Sequence, residues 1–253
     1  MSPVIVRNVI IGEGRPKVCV PLVERTEEAL LQAAARIGKF PVDLVEWRAD
    51  FYEAAPDGAA LATMAGKLRE RIGEKPILFT LRTASEGGEK QLTAKEYSDA
   101  NKDVISSGFI DLIDIEMMAG DAQVDTLIRF AHQFDVKVIC SSHDFHKTPS
   151  KDRILRRLQR MQDMGADIVK AAVMPQTRGD VLTLLDATLT MKELYARVPV
   201  ITMSMSSLGL PTRLMGETFG SAITFGAVGK ASAPGQIDAE DLMKVLDVIH
   251  KAM

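Results

Sequence analysis

Short apolar segments and longer amphipathic segments alternate along the chain of 253 residues, and the pair recurs eight times. The short segments have the length and composition of buried strands, and the long ones space their apolar residues as helices do. Eight consecutive strand–helix units in a chain of this length match a (β/α)8 barrel, also called a TIM barrel. An open doubly wound sheet is the rival architecture, but no G-x-G-x-x-G motif follows the first unit. The sequence therefore predicts an α/β fold with one (β/α)8 barrel domain over residues 1–253.

The predicted elements begin with a small hairpin formed by Val4–Val6 and Val9–Ile11. The eight barrel strands are expected at Val18–Val23, Leu44–Asp50, Ile77–Arg82, Leu112–Met117, Val136–Ser141, within Asp167–Pro175, and at Val200–Met205 and Ala222–Val228. The helices that follow them are expected at Thr26–Phe40, Ala59–Ile72, Ala94–Ser107, Asp121–Phe134, Ser150–Met164, Arg178–Arg197, Leu214–Phe219 and Asp238–Ala252.

Charge and composition argue against two classes of partner. The formal net charge is -3 at pH 7, which gives no general attraction to nucleic acid. No segment approaches the roughly 20 apolar residues of a membrane span, and the first residues lack the features of a signal peptide. Cys19 and Cys140 lie far apart in apolar strand patterns, which favours buried free thiols. We therefore expect a cytoplasmic protein with no nucleic-acid or membrane partner.

Lys170 interrupts an otherwise apolar predicted strand. Alternation along the strand places Ile168, Lys170 and Ala172 on one face, so that this face carries an ammonium group. Lysine is rarely fully buried unless it is paired, and a structural salt bridge is therefore one interpretation. The other interpretation is a lysine held in a dry pocket for covalent attack on a carbonyl group.

Other charged residues collect on the predicted inward faces of neighbouring strands. Each would cost several kcal/mol to bury unpaired, so we expect these groups to pair with one another. A purely structural ion-pair network is an alternative, although barrel interiors are usually filled by branched apolar residues. The residues are Glu46, Arg48 and Asp50 on the second barrel strand, Arg82 at the end of the third, and Asp114 and Glu116 on the fourth.

The loops after the strands add candidates, because the working face of such a barrel is the carboxyl end of its strands. Glu86 and Glu89 lie on a glycine-hinged turn after the third strand. His143 follows the fifth strand directly, close to the barrel mouth, whereas His146 lies farther out. A carboxylate such as Glu86 can hold the imidazole of His143 in one tautomer.

The last two loops suit an anionic substrate. Arg213 follows the seventh strand, and an arginine can grip a carboxylate through two hydrogen bonds. The loop Gly229–Gln236 is rich in small residues and suits a mobile lid that brings Ser232 and Gln236 to the substrate. From composition alone, a plain flexible turn explains this loop equally well.

Lys170 and His143 together indicate imine chemistry. A lysine amine condenses with a carbonyl group, and the protonated imine acidifies the adjacent C–H bond. A histidine with an ordinary pKa of about 6.5 can take that proton and return it to a leaving group.

Seven stretches of the sequence resemble the type I 3-dehydroquinate dehydratases. They occur in the family's order and span nearly the whole chain, which makes the match specific although no single stretch would suffice. They are Glu46–Arg48, Phe79–Arg82, Glu86–Gly88, His143–Pro149, Lys170–Pro175, Arg213 within Thr-Arg-Leu-Met-Gly-Glu, and Ala231–Gln236. The resemblance implies a (β/α)8 barrel that forms a homodimer and needs neither a metal nor an organic cofactor.

The resemblance also implies syn elimination of water from 3-dehydroquinate, giving 3-dehydroshikimate for aromatic amino acid biosynthesis. Lys170 is implied to form a Schiff base with the C3 ketone. His143 is implied to remove the C2 proton and to assist imine formation, imine hydrolysis and loss of the C1 hydroxyl, and Glu86 to orient His143. Arg213 is implied to hold the substrate carboxylate. The implied substrate-binding residues are Glu46, Arg48, Arg82, Arg213, Ser232 and Gln236.

Two positions depart from the family pattern. Pro21 stands where several relatives have a serine in the first barrel strand, which removes one hydroxyl contact. Thr212 stands where a serine often precedes the arginine, and this change keeps the hydroxyl.

Three alternatives stay open at the level of sequence. Another imine-forming barrel enzyme, such as a class I aldolase, would break a C–C bond instead of releasing water. A non-catalytic barrel that only binds an acidic metabolite would not need Lys170. A metal-dependent barrel enzyme would need carboxylate and imidazole ligands, for which the candidates are Glu46, Asp114, Glu116 and His143.

Overall fold

The computed structural model describes residues 1–253 and contains eight parallel strands that alternate with helices, preceded by an antiparallel hairpin. The strands are β1 Val4–Val6, β2 Val9–Ile11, β3 Lys17–Leu22, β4 Leu44–Arg48, β5 Ile77–Thr80, β6 Leu112–Glu116, β7 Lys137–Asp144, β8 Ile168–Val173, β9 Val200–Ser204 and β10 Ile223–Phe225. The helices are α1 Glu27–Gly38, α2 Gly58–Ile72, α3 Ala94–Ser106, α4 Asp121–Gln133, α5 Lys151–Asp163, α6 Arg178–Thr190, α7 Leu210–Leu214, α8 Gly216–Phe219 and α9 Ala239–Ala252. The predicted α/β barrel and its hairpin are confirmed.

The barrel sheet has the order β10-β3-β4-β5-β6-β7-β8-β9, and all of its neighbouring strands are parallel. Between β9 and β10 the sheet is held by one bridge, which joins Val200 to Ser221. Beside it the N–H of Ala222 donates to the carbonyl oxygen of Val200 at 2.7 Å. The barrel is therefore nearly closed, with its weakest pairing at this seam.

The strand register determines which side chains meet inside the barrel. Ser141 on β7 lies beside Lys170 on β8, and His143 lies beside Ala172. Because alternate residues of a strand point to the same side, Lys170 and His143 both point into the barrel. His143 lies one inward position closer to the carboxyl ends of the strands.

Two apolar clusters stabilise the barrel. The larger lies between the strands and the helices and includes Trp47, whose ring meets the edge of Phe79 at a centroid distance of 5.4 Å. The smaller lies inside the barrel and extends from its amino-terminal end to Ala172, Met203 and Phe225. The hairpin contributes Val6, Val9 and Ile11 to this smaller cluster and so covers the amino-terminal end of the barrel.

Some predicted boundaries near the site are wrong. β4 ends at Arg48, and Asp50 lies in a turn of 3₁₀ helix because its carboxylate folds back onto the Arg48 guanidinium at 2.8 Å. Arg82 lies beyond the end of β5 and not on the strand. β7 continues to Asp144 because it pairs with β8 over that length, so His143 is a strand residue and not a loop residue.

Two helix predictions also need correction. The chain turns helical at Leu210 and not at Leu214, because Pro211 lies in the first turn of α7, where a proline costs no hydrogen bond. α6 ends at Thr190 and is followed by one turn of π-helix. Thr26 and Asp238 cap α1 and α9 as their positions suggest. None of the nine helices combines the length and apolar composition needed to cross a bilayer.

We expect Ile11→Ala to lower the free energy of unfolding by about 2–5 kcal/mol, because truncating a buried isoleucine leaves a cavity. Ile11 is 0% exposed at the covered end of the barrel, whereas its neighbour Ile10 is 41% exposed and serves as the matched control. Ile10→Ala should change the free energy of unfolding by less than about 0.5 kcal/mol. Urea denaturation of the two variants measures both values, and equal losses would contradict the role given to the hairpin.

Candidate active site

A pocket of about 450 Å³ opens at the carboxyl ends of the barrel strands. Its position is the one expected for the working face of this fold. Charged and polar side chains from three barrel strands and two loops share it with six apolar side chains. The lining residues are Glu46, Arg48, Arg82, Glu86, Gly87, His143, Phe145, Lys170, Ala172, Met203, Met205, Phe225, Ser232, Ala233 and Gln236.

Lys170 lies at the floor of this pocket and is 4% exposed. Its Nζ donates to Oδ2 of Asp114 at 3.0 Å. The same nitrogen lies 4.7 Å from the centre of the Phe225 ring, within the range of a cation–π contact. The buried ammonium thus has one carboxylate partner and one aromatic partner, and it still faces the pocket.

Arg82 joins the carboxylates around Lys170 into one buried network. Its guanidinium lies 2.8 Å from Asp114 Oδ1, 2.9 Å from Glu116 Oε1 and 3.8 Å from Glu86 Oε2. Ser141 donates to the same Asp114 oxygen at 2.5 Å. Burial acts to lower the pKa of Arg82, but Asp114 and Glu116 outweigh it and hold that pKa well above its usual range. The ion pairing that the sequence predicts for these residues is therefore present.

His143 is held by Glu86. Oε2 of Glu86 lies 2.8 Å from Nδ1 of His143 and also accepts the backbone N–H of His143 at 3.0 Å. Oε2 already accepts the backbone N–H and can also accept from Nδ1, both in the ionised carboxylate and when a proton sits on Oε1, which has no other partner. Nδ1 then carries the ring proton and Nε2 keeps its lone pair. This arrangement suits a general base that acts through Nε2.

Burial shifts both members of this pair toward their neutral forms. Desolvation, followed by the nearby Arg82 and Lys170 cations, lowers the pKa of His143 well below its usual 6.5. Desolvation also raises the pKa of Glu86 to about 8, although Arg82 opposes the shift. The imidazole is therefore unprotonated and available as a base in neutral solution.

Arg48 is fixed from two sides. Its guanidinium makes two hydrogen bonds of 2.8 Å to the carboxylate of Asp50, which is fully buried. Its Nη1 donates to the carbonyl oxygen of Ser232 at 3.3 Å. Ser232 and Gln236 in turn bond each other, since the Ser232 N–H donates to Oε1 and the Gln236 amide donates to the serine hydroxyl. The loop after β10 thus covers one side of the pocket.

Arg213 lies outside the set that lines the pocket. It is 1% exposed, and no carboxylate pairs with it. Nη2 donates to the carbonyl oxygen of Pro234 at 3.1 Å, Nη1 approaches the sulfur of Met203, and Nε has no partner. Burial lowers the pKa of Arg213 to about 10, so the group remains a cation in neutral solution.

The structure brings eight of the nine predicted site residues to one pocket, and Arg213 is the exception. Glu89, the second acidic residue of the turn after β5, lies apart from the pocket and pairs with Arg25. Asp114 was recognised as an inward-facing carboxylate but not as the partner of Lys170. The period-two spacing of Asp114 and Glu116 on β6 is the feature of the sequence that places the Asp114 side chain inside the barrel.

The residues suggested as metal ligands do not form a metal-binding group. No three His, Cys, Asp or Glu side chains of the chain are arranged to hold a metal ion. Asp114 is bonded to Arg82 and Lys170, and Glu116 is bonded to Arg82 and Thr83. Glu46 accepts a hydrogen bond from Thr80 at 2.9 Å. These carboxylates are thus engaged by donors of the protein itself.

Comparison with known proteins gives one consistent family. The family model described as type I 3-dehydroquinase matches residues 18–253. The 3-dehydroquinate dehydratase of Salmonella typhimurium is 50% identical over 252 residues, which cover 100% of both chains.

Solved structures agree with the sequence comparison. The type I 3-dehydroquinate dehydratase of Clostridium difficile, solved with covalent modified comenic acid, superposes with a TM-score of 0.97 at 46% identity and 100% coverage of both chains. The 3-dehydroquinate dehydratase of Enterococcus faecalis gives a TM-score of 0.92 at 43% identity, covering 97% of this chain and 99% of that one.

Proposed function

The chain belongs to the type I 3-dehydroquinase family and catalyses the loss of water from 3-dehydroquinate in the shikimate pathway, and we propose that the reaction passes through a Schiff base on Lys170. The observation that carries this proposal is a buried lysine and a histidine that face one pocket from adjacent strands. The product is 3-dehydroshikimate, so the enzyme is a hydro-lyase.

Lys170 begins the reaction by adding its amine to the C3 ketone of the substrate. Lys170 enters as an ammonium, and His143 first takes one of its protons and passes it to the ketone oxygen as the amine adds to C3. His143 then takes a second proton from the carbinolamine nitrogen and passes it to the hydroxyl group, which leaves as water. The nitrogen of the resulting imine keeps one hydrogen and carries the positive charge. This cation draws electrons from the C2–H bond and makes its proton removable.

His143 then moves one proton from C2 to the leaving hydroxyl group. Nε2 takes the C2 proton, and the electron pair of that bond forms a neutral enamine with C3. The enamine expels the C1 hydroxyl group, which leaves as water with the proton that His143 returns. A C1=C2 double bond conjugated with the imine results, and a water molecule hydrolyses this imine to release product and free Lys170. One histidine acting on one face of the ring accounts for syn elimination.

The remaining charged groups suit an anionic, hydroxylated substrate. Arg48, Arg82, Ser232 and Gln236 present donors to the pocket, and Glu46 presents an acceptor for hydroxyl groups. Arg213 is assigned to the substrate carboxylate because it is a buried cation without an anionic partner. Glu86 keeps His143 in the tautomer that leaves Nε2 free.

Sodium borohydride added together with 3-dehydroquinate should fix a reduced adduct on Lys170, because hydride adds to the protonated imine. Mass spectrometry of the digested protein locates the adduct, and ultraviolet absorbance of the conjugated enone follows the reaction in parallel. Lys170→Ala should lose both signals. Lys137→Ala, on the neighbouring strand with 40% of its side chain exposed, should keep both. An adduct on another lysine, or none, would contradict the Schiff-base mechanism.

The acidic limb of kcat/KM against pH should lie below pH 6.5, the ordinary value for histidine. His143 must be unprotonated to act as a base, and burial lowers its pKa, so activity should persist as the pH falls through 6.5. His143→Ala should reduce kcat by about 10²–10⁴-fold. His146→Asn changes the exposed histidine of the same segment and should leave the limb in place. A limb at or above pH 6.5 in the wild type would refute the assignment.

We place the enzyme in the cytoplasm because of its cysteines, and the family resemblance implies a homodimer. Cys19 and Cys140 are buried free thiols, as a reducing compartment allows. Sedimentation equilibrium at micromolar concentration should give twice the mass of one chain. A mass equal to one chain would contradict the dimer.

A further inference from the structure

We propose that Asp114 is the counter-ion of the protonated imine on Lys170, with the Phe225 ring as its second stabilising contact. The proposal rests on the Schiff base described above and assigns a catalytic role to two residues outside the set carried by the family resemblance. Its basis is the pair of contacts that Lys170 Nζ already makes, 3.0 Å to Asp114 Oδ2 and 4.7 Å to the centre of Phe225.

The position of Asp114 suits a contact that survives imine formation. Lys170 lines the pocket, whereas Asp114 does not and has a fully buried side chain. The Lys170 nitrogen therefore lies between a carboxylate beneath it and the open pocket above it. When Nζ forms its double bond to C3, the substrate carbon occupies the pocket side. The single remaining N–H can then keep its hydrogen bond to Asp114 Oδ2.

Asp114 is also suited to remain an anion throughout the reaction. Its other oxygen accepts from Arg82 at 2.8 Å and from the Ser141 hydroxyl at 2.5 Å. Burial acts to raise the pKa of Asp114, but Arg82 and Lys170 outweigh it and hold that pKa below its usual range. Asp114 therefore does not take the lysine proton, and the proton transfers remain with His143.

The counter-ion matters because only the protonated imine withdraws electrons strongly from C2. An opposite charge within about 4–6 Å favours the charged form of a group by roughly 1–3 pKa units. At high pH the imine loses its proton, and the negative charge of Asp114 shifts this loss to a higher pH. The other ionisable groups around the nitrogen are Cys19 on β3, Glu46 and Arg48 on β4, Arg82 and Glu86 after β5, and His143 on β7. Among the side chains of the protein, Asp114 alone is hydrogen-bonded to Nζ.

The test is the pH dependence of kcat on the alkaline side, which reports groups in the enzyme–substrate complex. Asp114→Asn should move the alkaline limb to lower pH by roughly 1–3 units, because the imine then loses its proton earlier. Phe225→Leu should move the limb in the same direction by a smaller amount. Tyr97→Phe removes the hydroxyl group that accepts the backbone N–H of Glu116 and should leave the limb in place.

Borohydride trapping with 3-dehydroquinate separates this proposal from the one on which it rests. If the wild type gives no adduct on Lys170, the Schiff base itself is wrong. If the wild type and Asp114→Asn both give the adduct but share one alkaline limb, the counter-ion role is overturned. A uniform fall of kcat at every pH, with no movement of the limb, shows a structural role only and also overturns it. If Asp114→Asn does not fold, Phe225→Leu decides, and an unmoved limb in that variant refutes the proposal.

Discussion

The arrangement of the active site depends on the buried guanidinium of Arg82. Its nitrogens lie 2.8 Å from a carboxylate oxygen of Asp114 and 2.9 Å from one of Glu116. Without the guanidinium, these two carboxylates would repel each other in the dry interior. Such a network adds little net stability, because each charge loses its hydration on burial. Its removal would nevertheless leave uncompensated charges in the interior, at a cost of about 3–5 kcal/mol. The contribution of Arg82 is to fix the positions of Asp114 and Glu116, since its guanidinium contacts one oxygen of each carboxylate.

Arg82 also fixes the carboxylates that hold Lys170 and His143, the two residues proposed to react. Asp114 receives Arg82 through one oxygen and Lys170 through the other, so the lysine is aimed by the same carboxylate that the arginine fixes. Glu86 lies 3.8 Å from Arg82 and carries His143 on its Oε2. Lys170 and His143 are thus each held by one carboxylate, and both side chains line the pocket. This is the preorganisation that lets a site stabilise charge as it develops.

Which charged side chains face the barrel interior could largely be predicted from the sequence, because strand alternation is a local property. Period two places Asp114 with Glu116 and Glu46 with Arg48, and it marks Lys170 as an inward-facing charge. The sequence could not predict the pairs that the cations and carboxylates form, because these pairs depend on the stagger between strands in the closed barrel. The predicted end of β4 at Asp50 was wrong for a related reason. The strand ends at Arg48, where the carboxylate of Asp50 bonds to the guanidinium, and no pattern in the sequence predicts this bond.

Arg213 shows a further limit of prediction from sequence, because its position is unfavourable for the stability of the fold. A buried cation held by one neutral carbonyl is costly for folding, since a carbonyl replaces only part of the hydration that the guanidinium loses. The rest of the fold must offset this cost before any substrate arrives. In the role proposed for Arg213, a substrate carboxylate recovers this cost, because a carboxylate accepts two hydrogen bonds from a guanidinium and neutralises its charge. A residue that destabilises the empty enzyme can thus contribute to binding, and rules that optimise stability alone would not have placed an arginine there.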